Sequence, residues 1–262
     1  MNQKMFRLEG KKILALFLTV FLCVCLTQVK QVASAVTLKQ KNGQPIMAIG
    51  QLVNFVGTCG YQGIGTPPEH QQDQTDTWIV MKIKGRQAII IKQNPIAVQM
   101  YNKAGERFAI YANSDIKQTI SSWWSVACSQ RIDGIPAQNY ALPVKLNGEN
   151  QCNPFKFCIA DQSKYETTVD PNPQNITKAF VPSLIDVNSN PKNYYVDAGE
   201  VAWTSFVSGF SRSGGQYPNI TWLRSPLRIH LNAAVISDDG ATYSSAVHYK
   251  SLALRPACWI NI

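Results

Sequence analysis

The sequence has only three histidines, His70, His230 and His248, and none has the Cys or carboxylate companions at set spacing that usually accompany metal ligation. His230 and His248 flank a C-terminal hairpin and would meet across it. No G-x-S-x-G elbow is present, so a hydrolytic serine has no signature. There is no block of Lys or Arg and no interleaving of aromatic with basic residues. A nucleic-acid partner is therefore not expected, despite a formal net charge of +9. Repeated C-x₂₋₄-C pairs are missing, which removes the usual zinc motifs. Asp238-Asp239-Gly240 lacks the later glutamate of a calcium loop and fits a plain hairpin turn. No metal, cofactor or catalytic residue is expected from these patterns. Asp186, Asp197 and Glu200 lie in one region, but their spacing singles out no acid–base pair.

One long apolar run is present. Lys4, Arg7, Lys11 and Lys12 form a basic start, residues 13–29 carry no charge, and Ala33-Ser34-Ala35 supplies small residues at a cleavage site. The pattern predicts a signal peptide over residues 1–35, cut after Ala35, and a single secreted domain over residues 36–262. An uncleaved anchor is the other reading, since the run is about long enough to span a bilayer. Cys23 and Cys25 follow Leu22 and Val24, where a lipid-anchor motif needs a small residue. After cleavage no membrane partner is expected. Removing the leader takes away Lys4, Arg7, Lys11, Lys12 and Lys30 against Glu9, so the exported chain is less basic. Its scattered charge would give a weak attraction to anionic wall polymer, and an ordinary soluble surface explains it as well.

Cys59, Cys128, Cys152, Cys158 and Cys258 remain after cleavage, and outside the cytoplasm pairing is the default. Cys152 and Cys158 bracket a short segment that a disulfide would close, although sequence alone does not fix connectivity. An odd number leaves one thiol unpaired or bridging two chains.

Along the chain, residues 52–56 read as a short strand ended by Gly57. Thr77-Trp78-Ile79-Val80-Met81-Lys82-Ile83 and Arg86-Gln87-Ala88-Ile89-Ile90-Ile91 are β-rich runs joined through Lys84-Gly85, a hairpin signature. Asn113 or Ser114 would cap a helix starting at Asp115, and Ile116, Ile120, Trp123, Trp124 and Ala127 form one apolar stripe on it. The adjacent tryptophans would serve as core anchors more readily than as a sugar platform. Residues 63–76 and 142–178 are rich in turn formers and read as loops. Residues 179–187 suggest a strand running into a turn. Asn175-Ile176-Thr177 and Asn219-Ile220-Thr221 match the glycosylation triplet.

The C-terminal third carries the most specific pattern. Arg224 and Arg255 each stand in an apolar strand-like run beside a proline: Trp222-Leu223-Arg224-Ser225-Pro226 and Leu254-Arg255-Pro256-Ala257-Cys258-Trp259. A buried guanidinium has five donors to satisfy, so each would either bridge carbonyls or a carboxylate, or point into a groove toward an acidic ligand. The bridging role fits better, because Arg-Pro and Ser-Pro suit strand ends where carbonyls are free.

At these residues the chain resembles the bacterial extracellular family of unknown function called DUF6273. Its signature stands here as residues 222–226, a hairpin over 233–240 with Gly240, and residues 254–260 with Arg255, Pro256 and Trp259. Weaker likeness at 78–91, 116–124 and 179–187 extends it across most of residues 50–262. The arginine-bearing strands also look like the core of formylglycine-generating-enzyme-like proteins. That likeness implies an α+β, C-type-lectin-like fold: antiparallel strands and hairpins, few helices and long irregular loops. The paired catalytic cysteines of that oxidase and the sugar-binding tripeptides of calcium lectins are not found. The function expected is a non-catalytic module that binds a cell-wall glycan or a surface protein through its loops. An extracellular polymer hydrolase, or an assembly protein linked through its odd cysteine, is the alternative.

Overall fold

In the computed structural model, the β-rich runs around Gly85 form the expected hairpin. β1 (Leu52–Asn54) lies against β2 (Thr77–Lys84), which turns at Gly85 into β3 (Gln87–Lys92). Gly85 has φ 62°, a conformation that suits glycine in so tight a turn. The structure describes residues 46, 48–55, 77–102, 108–127, 131–132, 135–136, 139–149, 162–172, 174–187, 220–227, 231–238, 240–248 and 251–262. All of these belong to the unit Thr37–Ile262. The predicted signal segment, Cys59, Cys128, Cys152 and Cys158, His70 and His230, Asp197 and Glu200, Asn219 and residues 63–76 lie outside them. No helix among the described residues is long and apolar enough to cross a membrane.

The first sheet is completed by the C-terminal strand. β4 (Ala97–Gln99), β5 (Arg131–Ile132), β6 (Ile135–Pro136), β7 (Ala141–Leu142), β8 (Val144–Leu146), β9 (Thr167–Val169) and β10 (Ala179–Phe180) are short. β11 (Ile220–Pro226), β12 (Asn232–Ser237), β13 (Thr242–Ala246), β14 (Leu252–Leu254) and β15 (Ala257–Asn261) form the C-terminal region. The first sheet runs β1-β2-β3-β15-β10, and β7 pairs with the remaining length of β15. The second runs β13-β12-β11-β14-β4, antiparallel except where β11 meets β14. β5 with β6, and β8 with β9, make two small antiparallel ladders. Gly240, at φ 86°, closes the β12–β13 turn.

Burial explains the uninterrupted apolar runs. A strand covered on one face alternates, whereas one covered on both faces reads as continuously hydrophobic. Trp78 through Met81 and Ala88 through Ile91 are buried without alternation. On one side Ile79, Met81, Ile89, Ile91 and Trp259 join Leu223, Ala234 and Ile236 of the second sheet in one core. On the other, Trp78 meets α1 (Asp115–Ala127), its ring 6.2 Å from that of Trp123. Phe55 lies 5.1 Å from Trp78 and 6.3 Å from Trp124, so both helix tryptophans are core residues. Burying side chains of this size contributes about 1.5–3 kcal/mol each. Ser114 Oγ accepts from Lys117 N at 3.2 Å, the cap expected of this helix.

The chain crosses between sheets at two adjacent places. β3 in the first sheet leads to β4 in the second, and β14 in the second leads through Arg255-Pro256 to β15 in the first. Proline supplies no N–H to a ladder, which suits a residue at which the strand changes sheet. Lys92 N donates to Pro256 O and Ile96 N to Leu254 O, both at 2.9 Å, so the crossings are bonded side by side. The fold is therefore a β-rich α+β arrangement of mostly antiparallel sheets with few helices among the described residues.

Candidate functional site

The arginine of β11 lies at the base of the most structured part of the 142–178 region. Arg224 is 1 % exposed. Its Nη1 donates to Asn147 O at 2.9 Å, and its Nη2 donates to Thr167 Oγ1 at 2.9 Å and to Tyr165 O. Asp186 Oδ2 is 3.8 Å from Nη2. This carboxylate also accepts from Thr167 N at 2.8 Å and Thr167 Oγ1 at 2.6 Å. α2 (Leu184–Val187) begins here with a reciprocal cap: Ser183 N donates to Asp186 Oδ2 at 2.8 Å and Asp186 N to Ser183 Oγ at 3.3 Å. Leu184 N donates to Ser225 Oγ at 2.8 Å, and Arg224 N to Pro182 O at 2.9 Å. A buried ion pair needs such added hydrogen bonds to offset its desolvation, and Asp186 has them.

Two tyrosines pack beside this network. Tyr101 OH donates to Arg224 O at 3.2 Å, and Tyr111 OH accepts from Val181 N at 3.1 Å. Burial pushes both phenols well above their ordinary range, with the Arg224 charge opposing that shift in each.

Above Arg224 the bonded segments open into a cleft of about 700 Å³. One wall is β8 and the turn after it, including Lys145, Asn147 and Glu149; the other is the 3-10 turn Gln162–Tyr165 and Glu166. Asn175 and Thr177 close one side. Asn147 Nδ2 donates to Glu166 O at 2.9 Å, joining the walls. Gly148 has φ 75°, and a Cβ there would lie 2.5 Å from the Tyr165 ring, so glycine lets the turn rest on that ring. Asn175 Nδ2 donates to Val144 O at 2.7 Å and to Asp170 Oδ2 at 2.8 Å. That committed amide is a poor glycosylation acceptor, whatever the triplet around it suggests. Asp170's carboxyl is held below its ordinary value, first by the Asn172 N–H and then by the Asn175 side chain. Lys117 reaches Glu149 at 2.8 Å and ties α1 to the cleft.

The signature residues are buried and none of them lines the cleft. Trp222 Nε1 donates to Gln99 O at 2.9 Å, with its ring 5.5 Å from Tyr101. Ser225 and Pro226 end β11 against α2, Gly240 sits in its hairpin turn, and Trp259 is in the shared core. Arg255 Nε donates to Gln93 O at 3.1 Å, and its Nη1 to Thr221 Oγ1. It thus binds one sheet crossing to the other. Cys258 is a free thiol at the centre of the first sheet, fully buried, so it offers no surface for a bridge between chains. Asp186, weighed above only as a hydrolase carboxylate, is committed to Arg224. No three His, Cys, Asp or Glu side chains gather as metal ligands among the described residues.

The cleft residues Asn147, Gly148, Glu149 and Glu166 carry no chemical motif in the sequence, and Asn175 carries only the glycosylation triplet. Only the density of turn formers between 142 and 178 marked their neighbourhood. Comparison of the chain with family models, with curated proteins and with solved structures gives no match.

Proposed function

We propose that the chain is a secreted bacterial, non-catalytic module of C-type-lectin-like architecture that binds a cell-surface glycan in the cleft above Arg224. One observation carries this reading: a polar hollow, lined by Asn, Ser, Thr, Lys and Glu side chains with few apolar ones, is pinned to the sheet from beneath. Hydroxyl-rich ligands match such a lining, whereas a protein segment would want apolar anchors at its centre. Loops held by a scaffold are where binding usually sits. A glycan array probed with the full chain tests the reading. Ser163→Trp, at an exposed position on the rim, should block binding without touching the core. Binding that survives this plug unchanged would place the ligand elsewhere. Recovery of the chain from culture medium with Val36 as its first residue checks the export half of the proposal.

A second reading has one observation in its favour. Glu149 and Glu166 share the cleft, and two carboxylates are what a glycoside hydrolase requires. Under that reading the chain releases new reducing ends from a wall polysaccharide, and Glu149→Gln and Glu166→Gln each abolish release. Binding without release supports the non-catalytic module.

A further inference from the structure

We infer that the cleft takes an anionic polymer, one carrying carboxylate or phosphate groups beside hydroxyls, and that Lys145 and Lys164 hold its charges. This rests on the binding-module reading above. Both lysines line the cleft and both are exposed. The glutamates of the same walls are already engaged. Glu149 pairs with Lys117 at 2.8 Å, and Glu166 lies 4.0 Å from Lys82 and 3.9 Å from Lys84. Those three lysines stand outside the lining, so the acids are offset by charges outside the cleft. No carboxylate among the described residues forms an ion pair with Lys145 or Lys164. Asp170 does lie within electrostatic reach of Lys145 and offsets part of its charge.

The balance at the mouth is therefore positive. Concave surfaces concentrate such a field and raise the local density of a counter-charged ligand. The described lining also contains no aromatic ring, so the flat apolar face against which a neutral sugar ring would pack is missing. The Thr177 hydroxyl, set beside the Lys145 and Lys164 ammonium groups, suits a sugar or polyol that repeats an acid group.

Calorimetric titration of the full chain with three polymers of matched length decides the matter. Polygalacturonate supplies carboxylates, poly(glycerol phosphate) supplies phosphates, and dextran is uncharged. The expected result is binding of at least one polyanion well above dextran, weakening as salt rises toward about 0.5 M. Lys145→Gln and Lys164→Gln should each weaken it by about threefold and together by about tenfold, as exposed ion pairs do. Arg86→Gln removes an exposed charge that does not line the cleft, and should leave affinity unchanged. Which polyanion binds separates the carboxylate from the phosphate source. Salt-insensitive binding of dextran at equal strength would overturn the inference and leave the glycan module standing. Equal weakening by Arg86→Gln and the cleft variants would also overturn it, reducing the effect to overall charge. Failure of every polymer here, together with an empty glycan array, would sink both proposals.

Discussion

Arg224 and Arg255 occupy near-twin settings in the sequence, each in an apolar strand ending at a proline, yet they hold different things together. Arg255 binds the two crossings between the sheets, reaching Gln93 O and Thr221 Oγ1. Arg224 reaches away from its strand to Asn147, Tyr165, Thr167 and Asp186, all in the segments that build or support the cleft. One arginine joins parts of the scaffold, and the other joins the scaffold to the site. The difference shows that a strand signature marks a buried guanidinium without marking what it serves.

The contrast can be broken most sharply at Arg224. Arg224→Ala leaves the Asp186 carboxylate buried and unpaired, and should lower stability by about 3–5 kcal/mol in urea unfolding. Hydrogen exchange should speed up in residues 144–149 and 165–169 while residues 91–98 stay protected. Arg255→Ala should cost about 2–3 kcal/mol through lost charged hydrogen bonds, with the exchange pattern reversed. If both variants loosen the same residues, the division between scaffold and site is wrong. Next in size is Gly148→Ala, which combines a positive φ with overlap on the Tyr165 ring. It should lower the melting temperature, corresponding to about 1–3 kcal/mol, and weaken cleft binding.

The smallest effect is a pH dependence. Tyr101 and Tyr111 beside Arg224, and Cys258 in the first sheet, all have their proton loss pushed upward, chiefly by burial. Raised folded values mean that their contribution is complete below the unfolded values, about 9 for the thiol and 10 for the phenols, and declines as pH climbs toward the folded ones. The melting temperature should therefore fall above about pH 9, and Tyr101→Phe should reduce that slope. A slope untouched by the substitution would assign the alkaline loss elsewhere. Cys258 should stay unreactive to a thiol reagent at pH 8 until the chain unfolds.

Local signals in the sequence sufficed where structure is local. The Gly85 hairpin, the helix capped by Ser114 and the Gly240 turn each depend on residues within one element, and their periodicity and turn chemistry expose them. The region 142–178 read as loop because β8 and β9 are three residues long and pair with each other across residues 147–166 rather than through a tight turn. No alternation can develop over three residues. What aligns them is Arg224, a residue from a different sheet, so the cleft had no local signal to find. The same reasoning explains Asp186, whose partner could be named only after folding, and Asn175, whose triplet says nothing about the carbonyl its amide would meet.

The position of β15 has a consequence for how the protein comes into being. Its five residues pair with β3 on one side and with β10 and β7 on the other, so β3, β10 and β7 are not joined in one sheet until residues 257–261 are present. A chain still emerging from the ribosome therefore carries β2 and β3 with one edge open and the shared core unclosed. Folding must wait for synthesis to reach the end of this strand, and pairings so distant in sequence form slowly. That delay suits the export proposed above, since threading through a channel demands an unfolded chain, and it leaves β3 exposed to unwanted strand pairing for as long as the wait lasts.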